Sequence, residues 1–252
     1  MLVPMEATAI HVLLLVAMLV VAPVLWSAAV LGQSPRHWSE ARWDSARLAP
    51  DPAEHPGAIV QFYSARTWGW KGVVAVHSWV ALKPEGAASY DRYDVVGWGV
   101  QRGSPALRKN MRPPDGRWAG NEPVLIAELR GTEAAMAIPR IEAAIARYPY
   151  RDAYVTWPGP NSNSFVAYLI REVPGLGAEL PPTAIGKDFL PNGALFAPTP
   201  SGTGLQLSLF GLLGLTVGLD EGLEINLLGL VLGVDPLGLA IKLPGIGRLG
   251  LR

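Results

Sequence analysis

The sequence predicts an α+β protein with an apolar N-terminal helix and a Gly/Leu-rich C-terminal β-hairpin. Three observations carry that prediction. Valine-rich stretches with period-two faces lie between Ile59 and Trp98, and isoleucines recur at helical spacing between Thr132 and Pro149. Leu205, Leu207, Leu209, Gly211, Leu213, Leu215, Val217 and Leu219 then form one strictly alternating face.

The N-terminal element is the apolar run Ile10–Leu31, interrupted only by His11, Pro23 and Ser27. It has the length of a bilayer span. No Lys or Arg precedes it and no Ala-x-Ala cleavage site follows, so residues 1–31 read as an uncleaved membrane anchor rather than a signal peptide. The expected placement is the cell inner membrane, single-pass. Arg36, Arg42 and Arg47 follow the run, which by the positive-inside rule alone places the body in the cytoplasm. Residues 32–57 read as a tether, with four prolines in a polar stretch and Trp38 and Trp43 set for the membrane interface.

Residues 58–200 form the predicted α+β core. Ile59–Tyr63 reads as a strand, and Val73–Leu82 as a second with Val74, Val76, Val80 and Leu82 on one face. His77 shares the other face with Ala75, Trp79 and Ala81. Lys83-Pro84-Glu85-Gly86 turns the chain into a returning strand, Tyr93–Trp98. Asn121-Glu122-Pro123 reads as a helix start. A second helical stretch from Thr132 carries Ile138, Ile141 and Ile145, is divided or kinked at Pro139, and stops at Pro149. Tyr150–Trp157 returns to the core, and Phe165–Val173 is a further helical run.

Residues 201–252 form the predicted hairpin extension. Leu205, Leu207, Leu209, Leu213, Leu215 and Val217 share one face, Asp220-Glu221-Gly222 is the turn, and Leu223–Val234 returns with Glu224 and Asn226 on the more polar face. Each arm is shorter than the ~20 residues of a spanning helix. So long an apolar strand face needs a cover, either the core or a bilayer on which it lies.

Composition narrows the function. Lys+Arg and Asp+Glu are 21 each among 252 residues, and no basic stripe occurs, which excludes a nucleic-acid binder. There is no cysteine, hence no disulfide, no thiolate metal site and no Cys nucleophile. Four scattered histidines give no metal-ligand spacing, and no cofactor is expected. Nine tryptophans and a half-hydrophobic composition favour large apolar contacts, with a membrane lipid bilayer as the expected partner.

The chemistry concentrates in Trp157-Pro158-Gly159-Pro160-Asn161-Ser162-Asn163-Ser164-Phe165. A Pro/Gly turn delivers small polar residues to a helix N-terminus, where unpaired N–H groups and the helix dipole favour an activated nucleophile and an oxyanion. Plain N-capping by Asn and Ser accounts for the same residues without chemistry. His77 is the one histidine in a globular strand, and it pairs with Ser162 as base and nucleophile. The Ser162 and Asn163 N–H groups would hold the oxyanion. Asp94 and Tyr93 are candidates to orient His77, with Asp94 equally well read as a solvated strand residue, and Trp79, Asn161, Asn163 and Ser164 are supporting residues. Lys187 and Asp188 read as a surface ion pair.

Asn161-Ser162-Asn163-Ser164-Phe165 resembles the Asn-Cys-Asn-Thr-Phe type of motif in the circularly permuted papain-like superfamily, which includes PPPDE peptidases and lecithin retinol acyltransferase-like proteins. The order, His-bearing strand before nucleophile helix, is similar too. The resemblance covers His77 to Val173 and implies a permuted papain-like core, with Ser162 where the superfamily has its nucleophilic Cys. It implies a Ser–His hydrolase or acyltransferase of amide or ester bonds, acting on a lipid-linked or peptide substrate of the cell envelope. The alternative is a catalytically inactive papain-like protein that binds a partner at the membrane. From the tether to the tail the chain also resembles an uncharacterised bacterial family of membrane-anchored proteins. That likeness runs through Tyr93–Trp98, Arg117-Trp118, Gly120-Asn121, Pro158–Phe165 and Ser201–Gly204. Likeness to envelope proteins places the body outside the cytoplasm, against the arginine count.

Overall fold

Hydrogen-bonded ladders organise this chain more than helices do. A computed structural model describes residues 11, 14, 15, 17–31 and 38–251, and it contains two antiparallel sheets and few helices. The first sheet holds β1 (Ile59–Arg66), β2 (Val76–Lys83), β3 (Asp91–Val95), β4 (Leu107–Lys109) and β5 (Val124–Arg130), in the order β4-β3-β2-β1-β5. The second is a sequential meander of β6 (Phe196–Pro198), β7 (Leu205–Leu209), β8 (Leu213–Gly218), β9 (Gly222–Leu227), β10 (Leu230–Asp235), β11 (Ala240–Leu243) and β12 (Gly247–Gly250). The helices are α1 (Ala22–Leu31), α2 (Gly131–Arg147) and α3 (Ser162–Glu172).

This overturns the expected α+β class with a permuted papain-like core, a spanning helix and one hairpin. Three local corrections explain most of the difference. Asn121-Glu122-Pro123 opens a strand instead of a helix, because β1 offers a free edge on which Val124 to Arg130 pair with Ser64 to Ile59. Tertiary pairing overrides local helix signals in this way. The predicted hairpin is the middle of a longer meander. Phe210 and Gly211 take positive φ and break the alternating run between β7 and β8, while Asp220-Glu221 does turn β8 into β9.

The third correction is the anchor. Among the described residues no helix is long and apolar enough to cross a membrane. This contradicts the expected single-pass inner-membrane placement. Part of the predicted span, including Ile10, lies outside the described residues. The described end is α1, ten residues preceded by a π-helical stretch, Ala17–Val21. Pro23 and Ser27 are buried, and the Ser27 hydroxyl donates to Val73 O at 2.6 Å and sits 3.0 Å from Gly245 O. A Cβ on Gly245 would crowd Ser27 and Val24, so glycine there permits the docking.

Both faces of the first sheet are buried. One presents Phe62, Val80 and Leu82 to Ile138, Ile141 and Ile145 of α2 and to Phe165 and Leu169 of α3. That apolar stripe explains why Pro139 sits inside α2 without dividing it, since burial outweighs the ~3 kcal/mol a mid-helix proline costs. The other face carries Tyr63 and Trp79, which pack with the loop residue Trp118 under the segment around Trp43 and Ala49. Part of the predicted tether is therefore packed structure. Asp115 accepts from Leu48 N (2.6 Å) and Ala49 N (3.1 Å), and Arg117 pairs with Asp44 at 2.8 Å.

The second sheet inverts the usual polarity. Its inner face buries Gln206, Ser208, Thr216, Glu224, Asn226 and Lys242, while its leucines face outward. Lys187 and Asp188, expected at the surface, lie buried beneath it. Lys187 bonds Asp188 (3.1 Å) and Glu224, and Lys242 bonds Glu224 (2.7 Å), Glu221 O (2.8 Å) and Glu179. Burial pushes the Glu224 carboxyl up, but Lys187 and Lys242 more than offset it and hold the group below its ordinary value of 4.5. Glu224→Gln would leave two buried ammonium groups without their shared carboxylate. We expect a loss of about 3–5 kcal/mol in urea unfolding at pH 7. A lowered carboxyl stabilises above its unfolded pKa and loses that contribution as pH falls, so the gap between wild type and variant should close under acid. A gap that persists at low pH would mean the carboxylate is not the source.

Candidate functional site

The site begins with the cap of α3. Asn161 is the N-cap: its Oδ1 accepts from Asn163 N (2.9 Å) and Ser164 N (3.1 Å). Ser164 Oγ accepts from Asn161 N at 2.8 Å, completing a reciprocal capping box. Capping is thus the work of Asn161 and Ser164, and Ser162 takes no part in it. The cap occupies the Asn163 N–H, so of the two donors expected for an oxyanion only Ser162 N–H stays outside the box. Asn163 has another task. Its Nδ2 donates to Val76 O (3.0 Å) and Ile185 O (2.8 Å), tying the helix N-terminus to the residue before His77.

His77 is buried between a carboxylate and stacked aromatic rings, with one part on the cleft. Its Nε2 lies 2.9 Å from Asp94 Oδ1 on the neighbouring strand. Asp94 in turn accepts from Arg92 Nε and Nη2, both at 2.8 Å, in a two-pronged pair. The imidazole stacks on Trp118 with centroids 3.4 Å apart and planes 9° from parallel. Trp79 lies 5.8 Å away on the same ring column, which extends to Tyr63 and, through Trp118, to Trp98. Arg92 sits 3.9 Å over Trp79.

Electrostatics set the protonation states. Burial pushes the Asp94 carboxyl up, but the Arg92 guanidinium and the hydrogen bonds from His77 and Arg92 prevail and hold it well below the carboxylate range. The ionised Asp94 fixes the imidazole proton on Nε2, which leaves Nδ1 as the basic nitrogen. Burial lowers the His77 pKa from 6.5, Asp94 opposes it, and Arg92 reinforces it. The ring is therefore neutral at pH 7.

His77 and Ser162 line one cleft of about 1050 Å³. Trp68, Trp70, Trp98, Trp118 and Trp157 share that lining, with Lys71 and Arg102 as its charged members. Asn161 and Asn163 also reach it. Of the other expected site residues, Asp94 contacts His77 as anticipated, while Ser164 stays in the cap. Trp79 is buried in the stack, its indole N–H on Pro114 O at 2.7 Å. Tyr93 is not among the residues bonded to His77. Sequence reading assigned Arg92 no role, and it gave Trp118 a place in the family likeness but none in the site. Arg92 lies two residues before Asp94, so period-two spacing places both on one strand face, a signal that was available. Trp118 comes from a loop and gave none.

These elements fall inside one matched segment. The family described as Protein of unknown function (DUF3750) matches residues 57–189, just over half of the chain. The chain belongs to that family. The match takes in the first sheet, α2, α3, His77, Asp94 and Ser162, and it ends before the second sheet begins. Comparison with curated proteins and with solved structures gave no match.

The charge arrangement predicts how His77 titrates. By NMR its pKa should fall below 6.5, and Asp94→Asn should push it lower still, because the carboxylate that favours imidazolium is gone while Arg92 stays. That variant also strands a buried guanidinium, at a cost of about 3–5 kcal/mol. A wild-type value above 6.5 would mean that Asp94 outweighs burial.

Proposed function

We propose that this chain is a Ser–His acyl-transfer enzyme, a hydrolase or acyltransferase of amide or ester bonds. One observation carries the reading: an imidazole whose Nε2 is held by an ionised Asp94 lines the same cleft as Ser162, which stands free of the cap at a helix N-terminus. The likeness of Asn161–Phe165 to the papain-like nucleophile motif supports the same roles.

In this mechanism neutral His77 takes the Ser162 proton at Nδ1 as Oγ attacks the acyl carbonyl. The developing oxyanion is stabilised by the Ser162 N–H and the positive end of α3. Asp94 keeps the imidazole in register and stabilises the imidazolium. His77 then passes its proton to the departing amine or alcohol, and water or a second alcohol or amine releases the acyl group from Ser162. The flat aromatic lining and the two cations, Lys71 and Arg102, suit a substrate with an extended apolar part and an anionic group, such as a lipid-linked or acylated peptide.

A second reading is a binding protein that has no turnover. It is favoured by the hydroxyl at position 162, a weaker nucleophile than a thiolate. A serine-directed fluorophosphonate probe separates the two. Wild type should be labelled on Ser162 and Ser162→Ala should not, with the Tm nearly unchanged because Asn161 and Ser164 supply the cap. The labelling rate should hold to below pH 6.5 before His77 protonates. Ser162→Cys should react with iodoacetamide at neutral pH faster than a free thiol, since His77 would draw its proton. No labelling of wild type together with ordinary reactivity of the Cys variant selects the binding reading.

A further inference from the structure

The outward face of the second sheet has no counterpart in the proposed chemistry. Its register lines up three cross-strand rows. The longest runs Leu205–Val217–Leu223–Val234–Ile241–Leu249, one residue from each of β7 to β12. A middle row is Leu207–Leu215–Ile225–Leu232, and the third is Leu209–Leu213–Leu227–Leu230. Every member is Leu, Ile or Val. On β7 to β9 they remain between 41 % exposed at Leu215 and 73 % at Leu205.

The extent of this face matters. Strands about 4.8 Å apart, roughly 17 Å long in β7 to β10 and shorter in β11 and β12, give the aliphatic rows a projected area of about 400 Å². That falls in the range of the largest apolar patches on ordinary monomers, about 300–600 Å², which are often functional, before side-chain relief is counted. Such a face needs an occupant.

Composition decides which occupant. Even homodimer interfaces are only about 65 % apolar, and protein hot spots favour Trp, Tyr and Arg while Leu and Val are scarce. These three rows hold aliphatic residues alone and carry no donor, acceptor or charge. A medium with no directional demands matches them, and hydrocarbon is such a medium. The third row also runs to the cleft: Leu230 and its neighbour Leu228 line the mouth, where the half-exposed Trp157 donates to Leu228 O at 2.9 Å. A Trp at an apolar edge with its N–H satisfied is the side chain favoured at lipid–water boundaries.

We propose that the outer face of the seven-stranded sheet seats on the hydrocarbon of a lipid surface and brings the cleft mouth to the boundary. Attachment of this kind needs no helix that crosses the bilayer, and it does not depend on Ser162 chemistry. The polar inner face makes it workable: Gln206, Thr216, Glu224, Asn226 and Lys242 are satisfied within the protein, so the sheet can present aliphatic side chains outward without exposing polar groups on that side.

The chain has no cysteine, so single labels can be placed cleanly. An environment-sensitive thiol fluorophore on Leu215→Cys, Ile225→Cys or Met136→Cys, each in the full chain, would be mixed with phosphatidylcholine vesicles containing brominated acyl chains. Met136 is an exposed residue of α2, away from the sheet. Labels at 215 and 225 should shift to the blue and lose most of their emission, while the label at 136 does neither, and added salt should change nothing. Because each label reports its own depth, retention of the chain through another segment cannot imitate this pattern. Unquenched labels at 215 and 225 would overturn the proposal, as would equal quenching at all three. Lipid-free excimer formation by pyrene at 215 would also overturn it, in favour of a second copy of the chain.

Discussion

The Asn163 side chain is the joint on which the architecture depends. Its amide donates to Val76 O and to Ile185 O, so one residue connects the strand that carries His77, the helix that carries Ser162 and the loop beyond α3. Asn161 reinforces the joint by donating to Thr156 O and Ile185 O, both at 3.1 Å. Gly186 must stay a glycine, because a Cβ would overlap the Asn161 amide and its φ is positive. Two residues on, the same loop meets the inner face of the second sheet. Asp188 accepts from Gln206 Nε2 (2.6 Å) and Asn226 Nδ2 (2.7 Å). A chain of buried polar contacts therefore runs from the strand that carries His77 to the meander, and each link is costly to break because its partner would be left buried and unpaired.

The Asp94–Arg92 pair has an energetic consequence for the histidine. A lone carboxylate beside a buried imidazole would favour imidazolium strongly. Burial outweighs that pull, Arg92 adds a smaller push in the same direction, and the ring stays neutral. What Asp94 retains is directional control: it fixes which nitrogen holds the proton. The stacked Trp118 then limits rotation of the ring and excludes water from one face. Together these leave a neutral and well-oriented imidazole, the state that the proposed acyl transfer requires of His77.

The sequence disclosed contact-forming residues better than it disclosed architecture. His77, Asp94 and Ser162 could be read because each follows a local rule: strand alternation for the first two, and a Pro/Gly turn before a helical run for the third. The meander turn at Asp220-Glu221 followed turn chemistry in the same way. What failed depended on partners distant in sequence. Val124–Arg130 follows the helix-start pattern Asn121-Glu122-Pro123 and is fixed as a strand by the edge of β1. The break at Phe210-Gly211 hid inside the period-two face, because a tight turn preserves the period on both sides and Gly211 was read as one member of it. The apolar N-terminal run was weighed by length and hydropathy alone, and neither reveals that Ser27 docks on Val73 and Gly245.

The reversed polarity of the second sheet follows from the same joint. Loop 183–189 must be held rigidly to keep Asn161 and Asn163 in place, and rigid holding in a low-dielectric interior requires directional bonds, not aliphatic packing. The meander supplies them by turning Gln206, Ser208, Glu224, Asn226 and Lys242 inward. Strand alternation then leaves no choice: every inward polar position forces its neighbours to the opposite face. Those neighbours could have been Thr, Lys or Glu, which would suit water and keep the strands stable. They are Leu, Ile and Val along three rows. The demands of the site explain the polar face completely, and they leave the aliphatic one to be explained by what lies against it.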